Sequence, residues 1–369
     1  MASNFHGFLI FFFFIFMFFN YMTFLEAALV PAMYVFGDSL VDVGNNNYLN
    51  FSAAKANFYP NGIDFPTGKP TGRFCNGKNP ADFLAEKVGL ASASSYLSII
   101  ENRSHTYNIN IGVNFASGGA TIIPQPNQIF VTSISLSKQV VYYNSIYEAL
   151  VRDLGVNKAK AHASKSLYLI EIGSNDIFAY FASPNLDKIY TPPQYLNLMS
   201  QHFEKQLKCY LWQRLYENGA RKLVVIGVGV IGCTPAMRYQ NFTEGCNSEM
   251  NRWAFVFNQH LTSMLKKLKD ELFGFHFSYF DGFSIMLSTI HKPTSFGFSE
   301  VKVACCGSGR LKAEVACIPK VSYCNNRDKH LFWDKYHPTQ QAHHFFSDLI
   351  FNGPQTYTFP INVQTLIAI

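Results

Sequence analysis

Charged residues are scarce in this chain of 369 residues. Asp, Glu, Lys and Arg together make up 15% of the sequence, and the formal net charge is only +6. The basic residues are scattered, which argues against nucleic acid as the main partner. Hydrophobic residues make up 48%, so the chain is neither disordered nor a coiled coil. It is long enough to bury a large core.

Several motifs of other enzyme classes are missing. There is no HExxH segment and no CxxC pair, so the sequence gives no reason to expect a metal site. His343 and His344 lack a carboxylate at useful spacing, and we interpret them as ordinary helix residues. The Gly-x-Ser-x-Gly turn of α/β hydrolases is also absent, which argues against that class of serine enzyme.

One long apolar run is present, close to the N-terminus. It covers residues 8–19, and the small residues Ala27 and Ala28 follow soon after it. A membrane-spanning helix needs ~20 apolar residues, so this shorter run predicts a secretory signal peptide over 1–27 and a single mature domain over 28–369. No Lys or Arg precedes the run, and an uncleaved anchor is the alternative. No later run is long enough to span a membrane.

Cysteines and glycosylation sequons fit an oxidising, extracellular compartment. Three sequons place acceptor sites at Asn50, Asn102 and Asn241. Among the eight cysteines, the best single disulfide is Cys233 with Cys246, which flank a short polar loop. Three pairings remain open for the clustered group Cys305, Cys306, Cys317 and Cys324. We expect a secreted, disulfide-bonded glycoprotein.

Short apolar runs alternate with longer segments of helical periodicity. We predict strands at 32–36, 112–115, 167–172, 222–228 and His276–Phe280. We predict helices at 80–89, 137–155, 193–219, 246–272 and 338–351, several of which begin with proline and end at glycine. This alternation indicates an α/β fold with a parallel sheet that is covered on both faces.

Four polar segments lie where such a sheet would bring them together. Three follow predicted strands: 37–40 (Gly-Asp-Ser-Leu), 116–121 (Ala-Ser-Gly-Gly-Ala-Thr) and 173–176 (Gly-Ser-Asn-Asp). The fourth, 333–338 (Trp-Asp-Lys-Tyr-His-Pro), precedes the last predicted helix. Ligands of open α/β sheets bind beyond the carboxyl ends of the strands. We therefore expect one site built from these segments.

The four segments contain the groups that hydrolysis of an acyl bond requires. A serine hydroxyl is a weak nucleophile until a base takes its proton, and histidine can do so near neutral pH. We assign Ser39 as the nucleophile, His337 as general base and then general acid, and Asp334 as the carboxylate that orients His337. The N–H groups of Ser39 and Gly119 and the amide of Asn175 are predicted to bind the oxyanion.

Other polar residues near these segments have structural interpretations. Asp38 is expected to brace its loop, and Asp42 and Asp176 are expected to have structural roles because no histidine is near them in the sequence. Arg73 could equally face the substrate or form a structural ion pair. Each segment alone is a weak signal, since Ser39 by itself could cap a helix, but their joint occurrence favours catalysis.

The chain resembles plant GDSL esterases/lipases of the SGNH hydrolase superfamily over essentially all of its mature length. The resemblance rests on segments 36–46, 112–120, 173–176 and 332–339, which occur in the family's order. It implies a three-layer α/β/α, flavodoxin-like fold and activity without a metal or other cofactor. It also implies a plant protein of the apoplast or cell wall.

The family's four signature residues fall on Ser39, Gly119, Asn175 and His337, although Gly118 is one position away and competes with Gly119. Cys75 stands where relatives usually carry serine. The resemblance implies a secreted hydrolase that cleaves lipid, acyl or acetyl esters through an acyl-serine intermediate, and we expect a monomer. Acyl transfer by the same triad and a non-catalytic lipid- or carbohydrate-binding glycoprotein are the alternatives.

Overall fold

The computed structural model describes residues 28–101, 108–124, 133–206 and 213–369. The predicted signal peptide and the sequon at Asn102 lie outside these ranges, as does Cys209.

In the described part of the chain, one sheet of seven strands forms the centre of the fold. The strands are β1 (Met33–Gly37), β2 (Ser94–Ser95), β3 (Val113–Asn114), β4 (Leu167–Glu171), β5 (Lys222–Ile226), β6 (His276–Phe280) and β7 (Thr358–Pro360). They lie in the order β2-β3-β1-β4-β5-β6-β7, and every neighbouring pair is parallel except β6 with β7. All five predicted strands are present, and β2 and β7 are additional short edge strands.

Helices connect the strands. They are α1 (Pro80–Lys87), α2 (Tyr96–Glu101), α3 (Leu136–Leu154), α4 (Val156–Lys165), α5 (Ser174–Ala182), α6 (Leu186–Ile189), α7 (Pro192–Lys205), α8 (Gln213–Glu217), α9 (Pro235–Gln240), α10 (Ser248–Glu271), α11 (Gly282–His291), α12 (Gln340–Asn352) and α13 (Val363–Ala368). Among these helices, none is both long and apolar enough to cross a membrane.

The last long helix begins later than predicted. The sequence predicts a start at Pro338, but α12 begins at Gln340, and the Oγ1 of Thr339 caps it by accepting from the Ala342 N–H. Pro338 instead pairs with Phe332 across an isolated bridge. Threonine is a strong N-cap residue, and Pro338 belongs to the loop that carries His337.

The two faces of the sheet bury different layers, because successive side chains of a strand point to opposite faces. On one face, Tyr34, Phe36 and Tyr168 pack with residues of α3, α7 and α10. On the other, Val35 and Leu169 pack with residues of α1, α12 and α13. The fold is therefore a three-layer α/β/α sandwich, as predicted, and both layers support the central strands.

Three disulfides are present among the described cysteines. Cys233 is bonded to Cys246, which confirms the predicted pair. The clustered group forms two bonds, Cys305 with Cys324 and Cys306 with Cys317. The sequence left this choice open. The two bonds fasten the long loop that leads to residues 333–338.

The strand order identifies where a ligand should bind. After β1 the chain forms β2 and β3 on one side of β1, and it then forms β4 on the other side of β1. The loops that follow the neighbouring strands β1 and β4 therefore run in opposite directions. Such a topological switch point opens a crevice at the carboxyl ends of the strands. Ser39 and Asn175 follow these two strands.

Candidate active site

The loop after β1 forms a tight turn that presents Ser39. Gly37 has φ of +146°, and a Cβ there would lie 2.1 Å from the carbonyl oxygen of Glu171. The N–H of Asp38 donates to that same oxygen (3.1 Å), and the N–H of Asp42 donates to the Asp38 carbonyl (3.0 Å). Only glycine fits this close approach of β1 to β4. The turn leaves Ser39 half-buried at the floor of a cleft.

His337 reaches Ser39 from the C-terminal loop. Its Nε2 lies 2.8 Å from the Oγ of Ser39, and its Nδ1 lies 2.8 Å from Oδ2 and 2.9 Å from Oδ1 of Asp334. The Oδ1 of Asp334 also accepts the N–H groups of Tyr336 and His337, each at 2.8 Å. The carboxylate is therefore fixed by its own loop. The three predicted residues form a continuous hydrogen-bonded chain.

Two carboxyl groups set the protonation of His337. Burial lowers its pKa, but the charge and hydrogen bond of Asp334 and the charge of Asp38 outweigh burial, so the pKa lies above its usual value. Burial raises the pKa of Asp334, but His337 and the two backbone donors outweigh burial and lower it. The pair favours an imidazolium beside a carboxylate, which is the charge state that forms when a histidine takes a proton from serine.

The two glycines after β3 differ in what their N–H groups do. The Gly118 N–H donates to Oδ2 of Asp42 at 3.0 Å, so it is already engaged. Gly119, with φ of +81°, lines the cleft. Within the described ranges, neither the Ser39 N–H nor the Gly119 N–H has an acceptor. These two groups are free to meet an oxygen in the cleft, which favours Gly119 over Gly118.

Asn175 lies in the first turn of α5 and also lines the cleft. Its Nδ2 donates to Oδ2 of Asp38 and to the carbonyl oxygen of Ala120, both at 3.1 Å. The amide is thus brought to the predicted position but is held by two protein acceptors. A bound oxyanion would have to share one of these two hydrogens.

Two further buried carboxyl groups hold the surrounding loops. Asp42 accepts the N–H groups of Gly44 and Asn45 besides that of Gly118, and Asp176 accepts those of Ile122 and Ile123. Burial raises the pKa of Asp42 to about 6 and that of Asp176 to about 7, although the backbone donors oppose this. The contacts agree with structural roles for both residues.

The cleft itself has a volume of about 320 Å³ and an apolar lining. The ring of Phe74 lies 5.2 Å from that of His337, and Phe178 lies 5.4 Å from Tyr336. Ile231 and Met286 contribute aliphatic surface. No pattern in the sequence singles these residues out. Phe74 alone has an indication, because it directly follows Arg73, which the sequence suggests could face the substrate.

Arg73 has a structural partner. Its Nε and Nη2 atoms donate to the two carboxylate oxygens of Asp82, each at 2.6 Å, and both side chains are buried. Asp82 also accepts the N–H of Asn79 at the start of α1. Of the two interpretations left open by the sequence, the ion pair is the one observed. Cys75 is buried nearby as a free thiol, and burial raises its pKa to about 12.

Comparison with known proteins matches the sequence of this chain to a family. The family model described as GDSL-like lipase/acylhydrolase matches residues 33–350. The chain belongs to the GDSL lipase/acylhydrolase family of carboxylic ester hydrolases. The match spans all four segments of the GDSL site, from the turn after β1 to the loop that carries His337.

Relatives of this GDSL hydrolase are similar over nearly their whole length. A GDSL esterase/lipase of Arabidopsis thaliana is 44% identical over 349 residues, which cover 93% of this chain and 91% of the relative. A second GDSL esterase/lipase from the same plant is 35% identical, over 92% of this chain and 86% of that relative. GDSL esterase/lipase 7 of that plant is also 35% identical and covers 92% of each chain.

Proposed function

We propose that this chain is a secreted serine hydrolase that cleaves carboxylic esters through an acyl-serine intermediate. The observation that carries the proposal is the 2.8 Å contact between Ser39 Oγ and His337 Nε2, continued to Asp334. In the first step, Nε2 takes the Oγ proton while Oγ attacks the ester carbonyl carbon. We assign the N–H groups of Ser39 and Gly119 and the amide of Asn175 to bind the oxygen that becomes negative.

Collapse of the tetrahedral intermediate completes acylation. The C–O bond to the alcohol breaks, and His337 gives its proton to the leaving oxygen. The acyl group then remains on Ser39. Water loses a proton to His337 and attacks the acyl carbon, and the carboxylic acid leaves as Ser39 regains its proton. Asp334 stays ionised throughout and supports the imidazolium.

The cleft favours an ester whose acyl part is apolar. Phe74, Phe178, Ile231 and Met286 line it, and no Lys or Arg is among its described lining residues. Each methylene removed from water contributes about 0.8 kcal/mol. We therefore propose lipid or other acyl esters as substrates in preference to esters of charged acids.

The extracellular part of the proposal rests on covalent features. Three disulfides among the described residues fit an oxidising compartment. Asn50 is exposed, and Asn241 is half-buried with its side chain bonded within its own turn. We propose signal cleavage near residue 27, release of a single-domain monomer from the cell, and glycosylation at these sequons and at Asn102.

A serine variant tests the mechanism. Ser39→Ala is expected to abolish turnover of a short-chain p-nitrophenyl ester while the thermal transition is unchanged. A fluorophosphonate probe should label the parent at Ser39 alone, as read by peptide mass spectrometry. Ser263→Ala, at an exposed position of α10, is the matched control and should keep full activity.

Three outcomes would contradict parts of the proposal. Activity retained by Ser39→Ala would reject the nucleophile. No turnover of any ester by the purified secreted protein would favour a binding glycoprotein. Transfer of the acyl group to an added alcohol in preference to water would favour an acyltransferase, because both acceptors compete for one acyl-enzyme.

A further inference from the structure

We propose that Asp38 and Glu171 share a single proton and that this acid pair positions the amide of Asn175 beside Ser39. Asp38 precedes the proposed nucleophile, and Glu171 is the last residue of β4. Glu171 touches neither the cleft nor the proposed triad, so it is a positioning residue. The inference rests on the proposed function, because its consequence is a change in ester turnover.

The two residues are neighbours across β1 and β4. Glu171 pairs with Gly37 in the sheet, its carbonyl oxygen accepts the Asp38 N–H at 3.1 Å, and both side chains are only 1% exposed. Their carboxyl groups lie within hydrogen-bonding reach of each other. Two carboxylates have no hydrogen to place between them, so a hydrogen bond between these groups requires a proton. A buried pair of like charges would also be costly to ionise fully. One proton therefore belongs to the folded site.

The surroundings decide which group holds the proton. Asp38 accepts the Leu40 N–H at 3.0 Å and the Asn175 amide at 3.1 Å, and it faces His337. Glu171 has no such donors, and its Oε2 has no hydrogen-bond partner in the described part of the chain. Donors and a nearby cation favour the charged form. Asp38 is accordingly the carboxylate, and Glu171 is the acid that donates to it.

This arrangement fixes Asn175 through three consecutive groups. The Glu171 hydroxyl donates to Asp38, whose Oδ2 accepts the Asn175 amide. Losing the proton would place a second negative charge next to Asp38 and remove one partner from the chain. Burial and the charge of Asp38 raise the pKa of Glu171 well above its ordinary value. The folded site therefore favours the protonated form of Glu171, and a rise in pH acts against the pair.

Other ionisable groups act on the same pair and must be separated from it. Burial raises the pKa of Asp38, and the charge of His337 opposes this effect. Burial raises the pKa of Asp176 on α5 as well, and the charge of Asp38 adds to that effect. His337 and Asp176 both remain in a Glu171→Gln variant. A decline of kcat at high pH that the parent shows and this variant lacks is therefore the signature of the pair.

Two variants of Glu171 separate its proton from its volume. Glu171→Gln keeps a donor for Asp38 but has nothing to ionise, whereas Glu171→Leu keeps bulk and loses the donor. We expect Glu171→Gln to retain kcat at neutral pH within about threefold and to lose the alkaline decline of kcat. We expect Glu171→Leu to lower kcat by about 10- to 100-fold with KM nearly unchanged, less than the loss of a whole oxyanion donor.

Controls and a second readout keep the test decisive. Glu148→Gln, at an exposed position of α3, should match the parent at every pH. A buried carboxylic acid also gives an infrared C=O band. Because Asp42 and Asp176, with pKa values of about 6 and about 7, also contribute near neutral pH, the band of Glu171 is the part that the parent shows and Glu171→Gln lacks. If Glu171→Leu does not fold, the Gln variant and this band still decide the question.

The proposal is overturned if Glu171→Gln loses as much kcat as Glu171→Leu, because an anionic Glu171 would then be required. It is also overturned if the alkaline decline and the infrared band are the same in the Gln variant and the parent. Phosphonate labelling of Ser39 is measured in every variant. Labelling that persists while these results fail would reject the acid pair and leave the acyl-serine mechanism intact.

Discussion

Replacing Asp334 by asparagine should reverse the direction of the hydrogen bond between residue 334 and His337. The carboxylate accepts the His337 Nδ1–H and also two backbone N–H groups of its own loop. An asparagine side chain at this position keeps nearly the same shape but offers one oxygen and an amide donor. With the oxygen held by the backbone donors, the amide would donate to Nδ1, and the hydrogen of the imidazole would move to Nε2. Nε2 could then no longer accept the Ser39 proton.

The magnitude follows from the loss of this acceptor. Asp334→Asn should lower kcat by about 10³–10⁴-fold with the geometry preserved, or about 4–5.5 kcal/mol of barrier height at 1.36 kcal/mol per factor of ten. KM should change little, because Asp334 is not among the residues that line the cleft.

The pH dependence of kcat/KM tests the role of Asp334 independently. His337 must be neutral to act as a base, so parent activity falls as the pH drops through its raised pKa. Asp334 raises that pKa against the effect of burial. Removing the charge lowers it, and the acid limb of kcat/KM should move to lower pH in Asp334→Asn. Single-turnover acylation with a p-nitrophenyl ester measures both the rate and this limb.

Asp328→Asn provides the matched control at an exposed position of the neighbouring loop and should leave both quantities unchanged. A loss in Asp334→Asn of less than about tenfold, far below the magnitude expected for a wrong tautomer, would refute the reasoning. An acid limb that stays in place would refute the assignment of that limb to His337. Denaturation curves of both variants check that the fold is intact.

Three further results are expected. Arg73→Met should lower the free energy of unfolding by about 3–5 kcal/mol, because buried Asp82 loses its partner. Its kcat/KM at a permissive temperature should equal that of the parent. A fall in kcat/KM without a loss of stability in urea would contradict the ion-pair role. Met286→Ala should raise the ratio of kcat/KM for a dodecanoyl ester to kcat/KM for a butanoyl ester, by about fourfold for each additional methylene that the cleft accommodates. Gly229→Val should lower this ratio, because a Cβ at residue 229 would lie 2.8 Å from Met286 Sδ. Asn50→Gln should remove one glycan, so the variant should migrate faster than the parent in gel electrophoresis, and the difference should disappear after glycosidase treatment. Equal mobility of the two untreated proteins would show that the site is unused.

The sequence predicted the fold well because the central strands are buried on both faces. Parallel strands of that kind are nearly continuous apolar runs, and the runs at β1, β4, β5 and β6 stand out for this reason. The two edge strands β2 and β7 have only two and three residues. Such short segments carry no periodicity, and their pairing is decided by contacts that are distant in sequence.

The site could be predicted as a set of residues but not as a set of hydrogen bonds. Ser39, His337 and Asp334 follow from the chemistry of their segments. The choice between Gly118 and Gly119 depends on Asp42, whose carboxylate engages one of the two N–H groups. The partner of Arg73 and the contact between Asp38 and Glu171 likewise depend on where separate strands end. No local sequence pattern reports these contacts.

Buried carboxyl groups connect the loops that build this site. Asp42 joins the loop after β1 to that after β3, and Asp176 joins the latter to α5. Asp38 joins the nucleophile turn to Asn175. Each carboxyl group is costly to bury, and each is retained where backbone or amide donors converge on it. Because these bonds cross between loops that diverge at the switch point, they fix the distance between the proposed nucleophile and its proposed oxyanion donors. The carboxyl groups therefore hold together a site that is assembled from four separate segments.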